Sequence, residues 1–267
     1  LLQAWYGISD EELEFQIHDR LSFRNFLDFP ATVPDFSTIW KIRERLQEAG
    51  ADKEIWNMLQ LQLDQQGYII KKGVIQDATF IEADLGRKRY AKEKQAKKHG
   101  ERIRYTEKQR SHIDKDGSFS VKHGQVHYGY KLHTKIDVDH HLVRDYAVTT
   151  ASLHDGEIDL VDKNDSAAYR DKGYFGKVMH PNIVDLTMKR ATRARKLNGG
   201  EQQRNKCISK IRAPGERQYA VIKRVFDGGR TLVKTIERVF IKEMFKCFAY
   251  NMYQLVTLFK KSIARAL

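Results

Sequence analysis

The chain has 267 residues and a formal net charge of +13, because 48 lysines and arginines outnumber 35 aspartates and glutamates. This length is enough to bury a core, as one large domain or as one domain with an appendage. The positive excess indicates a polyanionic partner, and no apolar run approaches the roughly 18–20 residues of a spanning helix, so nucleic acid is favoured over a membrane. Two cysteines exclude a disulfide framework, and no leader peptide is visible, so we expect a cytoplasmic protein.

The first 68 residues are predicted to form a helical domain. Ser9 stands before three acidic residues, which is a helix-start pattern, and Asp35 precedes a second helical pattern. A third pattern covers residues 52–65 and ends at Gly67. A small bundle of this kind is compatible with a plain scaffold, with recognition of DNA ends and with dimer formation. The sequence leaves these three alternatives open.

The segment Gly73–Ala83 contains a central carboxylate, Asp77, among apolar and β-branched residues. This pattern predicts a strand that is buried on both faces. An aspartate inside such a strand is costly to desolvate unless it is paired or binds a metal ion. Asp77 is therefore a candidate functional residue, and an aspartate at a strand edge facing water is the alternative.

Residues 87–122 are rich in lysine and arginine and contain few apolar side chains. Because such a segment cannot bury much surface, we predict a basic loop. The loop is either simply solvated or an arm that lies along DNA phosphates, with Arg102 and Arg104 among its contacts.

The pattern then changes to the period of β-strands. Residues 128–138 and 142–150 predict a β-hairpin, and two short strands are predicted at 167–170 and 183–188. Short helices are predicted after Asp155 and after Gly173, a basic helix over 201–226 with a break at Pro214, and a long apolar helix over 232–264. The expected fold class is α/β, with a mixed five-stranded sheet flanked by helices.

Several short motifs follow one another on these elements. They are Asp77-Ala78-Thr79, Gly129–His133, His154-Asp155-Gly156, Asp171–Tyr174, and Arg212, Glu216 and Lys223 at spacings of four and seven. In this order they resemble the DDE transposases of bacterial and archaeal insertion sequences, in the group of four- and five-type elements. The family has a tyrosine three residues before the arginine, where this chain has Ser209, so one supporting contact departs from the pattern.

The resemblance implies a ribonuclease-H-like catalytic domain over residues 69–267 after a helical domain over residues 1–68. It implies that Asp77, Asp171 and Glu216 are catalytic and bind two Mg²⁺ ions, which Mn²⁺ can replace. Mg²⁺ prefers oxygen ligands, and two such ions suit in-line displacement at phosphorus. Three clustered carboxylates repel one another, so we expect the site to be loose or partly neutralised without metal.

The resemblance also implies the partners. These are double-stranded DNA, at the element ends and at the target, and a second protomer on that DNA, in the nucleoid of a prokaryote and with no membrane. Five basic residues are the expected DNA contacts: Arg212, Lys223, Lys172, Arg102 and Arg104.

Alternatives remain at the level of the sequence. A ribonuclease-H-like metal nuclease without strand transfer and a catalytically inactive DNA-binding derivative both fit the same motifs. Arg212 and Glu216 could form an ordinary i, i+4 ion pair on a solvated helix. The histidines fit no common zinc spacing; they are His123, His127, His133, His140, His141 and His154.

Overall fold

The computed structural model describes residues 1–122 and 124–266, so His123 lies outside the described residues. The described helices are α1 (Leu2–Tyr6), α2 (Asp10–Asp19), α3 (Leu21–Phe26), α4 (Phe36–Glu48), α5 (Ala51–Gln65), α6 (Arg87–Lys98), α7 (Glu107–Ser111), α8 (Gly199–Val225) and α9 (Ile236–Ala266). The strands are β1 (Val74–Ala83), β2 (Ser118–Lys122), β3 (Gln125–Asp137), β4 (Val143–Thr150), β5 (Ala167–Arg170), β6 (Val184–Thr187) and β7 (Arg230–Thr231). None of these helices combines the length and the hydrophobicity that a membrane span requires.

The strands form one mixed sheet in the order β2-β3-β1-β5-β6, with β4 also paired to β3 and β7 also paired to β1. β1 runs antiparallel to β3 and parallel to β5. This confirms the α/β class and the five strands expected from the sequence. The sheet has two more strands than predicted, β2 and β7. β2 has only five residues, with serine and lysine among them, and β7 has two, so neither carries a hydrophobic pattern of its own.

One face of the sheet packs against α8 and α9 and contains the main core. Ile75, Ile81, Tyr130, Leu132 and Ile136 are all at most 1% exposed there. α8 approaches closely at Gly215, where an added Cβ would lie 3.2 Å from Ile75. The absence of a side chain at Gly215 therefore lets α8 pack close to β1.

Helix α5 precedes the predicted domain boundary at residue 68, yet it belongs to this core. Its Trp56 packs edge-on against Tyr146 of β4, with ring centroids 4.8 Å apart, and donates its indole N–H to the Arg144 carbonyl. The Arg144 guanidinium donates to Asp64 at 2.6 Å. The division into residues 1–68 and 69–267 stays a prediction, and contacts of this kind cross it.

The basic segment 87–122 is not a loop, so that prediction was wrong. It forms α6, α7 and β2. Alanines and lysines favour helix in α6, Arg89 pairs with Glu93 one turn later, and Thr106 caps α7 with a capping box. Low hydrophobicity was taken to mean irregular structure, but local helix propensity and capping need no large buried face.

The predictions for three helices also need correction. α8 is continuous through Pro214: Arg204 in its first half donates to the Thr187 carbonyl of β6 at 2.8 Å, and Tyr219 and Ile222 in its second half pack in the main core. The segments after Asp155 and Gly173 form only 3₁₀ turns, over Asp155–Glu157 and Lys172–Tyr174. His154 and Asp171 cap the two turns at their N-terminal ends, and each turn is only three residues long.

The other face of the sheet is polar and lies under residues 151–166. The Gln76 amide donates to the Ile158 carbonyl at 2.7 Å, and Lys131 pairs with Asp155 at 2.7 Å. His133 of β3 is fully buried beside them, with Nε2 2.8 Å from the Thr149 hydroxyl. Burial lowers the pKa of His133 to about 4, with a further lowering by Lys131 that Asp155 opposes.

This histidine predicts a dependence of stability on pH. The unfolded chain binds a proton at His133 below about pH 6.5, whereas the folded chain does so only near pH 4, so stability is lost as the pH falls through this window. We expect His133→Gln to reduce that loss by about 2–3 kcal/mol between pH 7 and pH 4.5, measured by urea denaturation. His18→Gln, at an exposed site on α2, is the control. Equal pH dependence in both variants would contradict the assignment.

Candidate active site

Asp77 lies where β1 loses one of its neighbours. β1 pairs with β5 at Val74, Ile75 and Gln76, and Gln76 is opposite Arg170, the last residue of β5. Asp77 follows Gln76 on β1, and Asp171 follows Arg170 just after the end of β5. The chain topology therefore brings the two carboxylates side by side, although 93 residues separate them in the sequence.

The Asp77 side chain is 17% exposed and has two partners. The Arg212 guanidinium of α8 donates to Oδ2 at 2.7 Å, and the Ala78 N–H donates to Oδ1 at 2.9 Å. The Tyr219 hydroxyl, two turns after Arg212 on α8, donates to the Asp77 carbonyl at 2.6 Å. Asp77 is thus neither fully buried nor solvated at a free edge, and α8 holds both its side chain and its backbone.

Asp171 caps the 3₁₀ turn that follows β5. Its Oδ1 accepts from the Gly173 N–H at 2.7 Å. An added Cβ on Gly173 would lie 2.9 Å from the same oxygen, so the glycine permits this close approach. The turn fixes the direction of the carboxylate and leaves Lys172 exposed beside it.

The pKa of Asp77 depends on burial and on nearby charges of both signs. Burial raises the pKa of Asp77 above its ordinary value, and the negative charge of Asp171 raises it further. Arg212, the Ala78 N–H and Lys122 lower it without reversing the shift. A raised carboxylate pKa in a partly open site is typical of functional positions. The direction of the shift is the one expected for a carboxylate that lies beside a second carboxylate.

Glu216 does not join the two aspartates. It lies one turn after Arg212 on α8 but is exposed, and within residues 1–122 and 124–266 no hydrogen bond or ion pair is found for it. The alternative i, i+4 ion pair between Arg212 and Glu216 is not formed either, since Arg212 pairs with Asp77. Over the same residues, no group of three or more His, Cys, Asp or Glu side chains is arranged as a metal site.

The donor chemistry of the site nevertheless fits a hard divalent cation. Asp77 and Asp171 present carboxylate oxygens next to each other, and a third carboxylate, Glu216, is on the helix that crosses them. Such oxygens are the preferred ligands of Mg²⁺, which keeps several waters and needs few protein ligands. In this structure the Arg212 guanidinium supplies the positive charge beside Asp77.

Three other basic residues were predicted to contact DNA. Lys223 is on α8, partly exposed, and burial lowers its pKa while Glu82 and Glu243 raise it. Arg102 and Arg104 are exposed in the segment between α6 and α7. No contact between any of these three side chains and Asp77 or Asp171 is described in the resolved ranges.

The sequence analysis missed three groups near Asp77. Tyr219 is seven residues after Arg212, two helical turns, and this spacing on one face could have identified it. Tyr174 is buried under the site, and Lys122 comes from β2, so no local spacing links it to Asp77. Ser209, at the position of the family tyrosine, is exposed. His154, by contrast, caps its 3₁₀ turn, with Nδ1 accepting from the Gly156 N–H.

Comparison with known families agrees with this geometry. The family described as "Transposase DDE domain" matches residues 69–252, more than half of the chain. The chain belongs to the DDE transposases. A second family, "Transposase domain (DUF772)", matches residues 1–45, and no solved structure matches the chain. As a DDE transposase the chain is an enzyme that acts on DNA, and its α/β core with the mixed sheet is the ribonuclease-H-like fold.

Arg212 should control the protonation of Asp77. Because its guanidinium lowers the carboxylate pKa, Arg212→Gln should raise the pKa of Asp77 further above its ordinary value. A carboxyl-carbon NMR titration of the metal-free protein measures this shift. Arg217→Gln, an exposed position on the same helix, is the matched control. An unchanged Asp77 titration in Arg212→Gln would contradict the pairing.

Proposed function

We propose that this DDE transposase cleaves DNA at the terminal inverted repeats of its own element and joins the ends to target DNA, with divalent magnesium as cofactor. Asp77, Asp171 and Glu216 are the proposed catalytic and metal-binding carboxylates. One observation carries the proposal: the last paired residues of β1 and β5 stand directly before Asp77 and Asp171, so both carboxylates occupy one edge of the sheet under α8.

The cofactor explains why acidic side chains are collected in a protein with so large a positive charge. When bound, two divalent ions supply charge stabilisation to the attacking and leaving oxygens of an in-line displacement. Asp77 and Asp171 fit this role by position: burial raises the pKa of Asp77, Asp171 adds to that shift, and a bound cation would relieve both effects. Glu216 would complete the set from α8.

Arg212 would then have two partners in turn. In the metal-free protein its guanidinium neutralises Asp77 at 2.7 Å, and its Nε is buried without a hydrogen-bond partner in the described part of the chain. If Asp77 and Asp171 hold a cation, Arg212 would no longer be needed to compensate Asp77, and its guanidinium would be available to a phosphate of the bound DNA. Arginine suits such an exchange because its planar fork pairs equally well with carboxylate and phosphate.

The remaining basic residues would hold the DNA away from the reacting phosphate. Lys172 follows Asp171, and Lys223 is two turns after Glu216, so both border the site. Arg102 and Arg104 are solvent-exposed between two basic helices and would contact phosphates at a distance from the carboxylates. Contacts of this type position the duplex without reading its sequence.

Replacing any proposed catalytic carboxylate should abolish cleavage and preserve DNA binding. We expect Asp77→Asn, Asp171→Asn and Glu216→Gln each to reduce cleavage of a labelled element end by about 100-fold or more in Mg²⁺. Glu48→Gln, an exposed carboxylate on α4, should have no effect. Binding is measured separately by gel shift with EDTA.

The same assay separates the proposal from its alternatives. Cleavage without end-joining, or without dependence on the end sequence, would favour a metal nuclease. Binding without cleavage in either Mg²⁺ or Mn²⁺ would favour an inactive DNA-binding derivative. Full activity in Glu216→Gln would remove Glu216 from the site.

The basic segment should contribute mainly electrostatic, sequence-independent affinity. Replacing Arg102 and Arg104 together with Gln should weaken binding to all duplexes and reduce the slope of log K against log salt by about two, since each phosphate contact contributes about 0.9. The double variant Lys41→Gln, Lys53→Gln, exposed on α4 and α5, is the control. A slope equal to that of the wild-type chain would contradict the assignment.

A further inference from the structure

The N-terminal helices carry the opposite charge from the rest of the transposase. Residues 1–66 contain 12 acidic and six basic side chains, a net charge of −6. The other 201 residues contain 23 acidic and 42 basic side chains, a net charge of +19. A region of this sign repels the phosphate backbone, whose attraction to basic residues supplies most DNA affinity. The N-terminal helices could serve as a scaffold, in recognition of DNA ends or in dimer formation. Their negative charge disfavours recognition of DNA ends.

The same region exposes an unusual amount of apolar surface. Among the described residues, 27 large apolar side chains are exposed, and 12 of them lie within residues 1–66. Phe15 is 58% exposed, Phe36 48% and Trp40 45%. The Glu14 carboxylate accepts from the Phe36 N–H at 2.7 Å, which joins α2 to the start of α4 and brings Phe15 towards Phe36. Clustered exposed apolar residues of this kind mark protein interaction sites.

Acidic side chains border these aromatic residues. Glu11, Glu12 and Asp19 lie one turn before or after Phe15 on α2, and all three are exposed. Asp35 caps α4 directly before Phe36. We call Phe15, Phe36, Trp40 and these four acidic residues the acidic docking surface. Its partner should offer apolar side chains surrounded by positive charge.

The end of α9 has this complementary character. Val256, Phe259 and Ile263 follow one another at spacings of three and four, so they form one stripe on the helix, and they are 50%, 63% and 45% exposed. Lys260 and Lys261 stand beside them, both exposed. Residues 244–267 contain four basic side chains and no acidic one. We call Val256, Phe259 and Ile263 with these two lysines the basic stripe.

The two surfaces do not cover each other within one protomer, because the apolar side chains of both are exposed. The Arg238 guanidinium of α9 lies 5.8 Å from the Trp40 ring and pairs with Glu44 at 2.8 Å, which fixes α4 at the beginning of α9. Val256 is 18 residues further along the same helix, or about 27 Å at 1.5 Å per residue. The Trp40 end of the acidic docking surface therefore lies far from the basic stripe, and because the apolar side chains of both surfaces are exposed, each is free to take a partner from another molecule.

We propose that the acidic docking surface binds the basic stripe of a second copy of this chain, and that the second copy returns the same contact. The proposal rests on the proposed function in one respect, since joining two element ends calls for two active sites. Reciprocal exchange gives a closed two-fold dimer, whereas two acidic docking surfaces facing each other would repel. Because the contact is made twice, each needs only about half of a standard interface of ~1,600 Å².

Sedimentation velocity of the full chain without DNA tests the dimer. We expect a concentration-dependent dimer in the wild-type chain, and a dissociation constant about tenfold or more higher in the double variant Phe15→Ala, Phe36→Ala and in Phe259→Glu. Phe119→Ala, at an apolar side chain on β2 that is 41% exposed, should dimerise normally. Circular dichroism confirms that each variant is folded.

Mixing the two defective variants gives the decisive result. In a reciprocal dimer, one chain of each kind restores one intact contact, so the mixture should form heterodimers more tightly than either variant alone forms homodimers. No gain on mixing would overturn the pairing of the two surfaces, and a monomeric wild-type chain would overturn the dimer. Loss of DNA affinity with unchanged mass in Phe15→Ala, Phe36→Ala would make this a DNA surface instead.

The measurement is independent of catalysis. If the wild-type chain dimerises as proposed but does not cleave element ends, the proposed function fails and this inference stands. If the wild-type chain cleaves ends but remains monomeric on a duplex carrying one end, this inference fails and the proposed function stands.

Discussion

The arrangement of this transposase depends on the contact between the Asp77 carboxylate and the Arg212 guanidinium. A charged aspartate on a central strand has to be compensated, and α8 supplies the compensation. The contact also aligns the helix, because Gly215 and Tyr219, on the same side of α8, then meet Ile75 and the Asp77 carbonyl. This ion pair thus lies on the face of α8 that packs on the sheet, whereas Glu216, one turn after Arg212, is exposed.

Stability and function make opposite demands at this point. A well-compensated Asp77 stabilises the metal-free protein, whereas a carboxylate that binds a cation must release its present partner. The raised pKa of Asp77 shows that Arg212 compensates only in part, since burial and Asp171 outweigh it. Because Arg212 compensates the Asp77 carboxylate only in part, additional positive charge beside Asp77 would be stabilising. A divalent cation would supply that charge.

The sequence predicted the sheet well because its strands carry their own patterns. β5 was predicted with its observed bounds, whereas Asp171 was named as a site residue only through the resemblance to the DDE transposases. The continuity of α8 through Pro214 could not be predicted, because Pro214 is a local signal for a break and the packing that overrides it is not local. Lys122 was missed for the same reason: β2 joins the sheet by pairing with β3, not by its own hydrophobicity.

The separation of charge along the chain has a further consequence for assembly. A protein with +13 overall would repel a second copy of itself, and the repulsion would grow as the active-site face gathers basic side chains for DNA. Placing −6 on the N-terminal helices, far along α9 from the basic stripe, converts part of that repulsion into attraction between molecules. DNA bound to the basic surface would neutralise more of it. The acidic helices would then support pairing before DNA arrives, and the DNA would strengthen it afterwards.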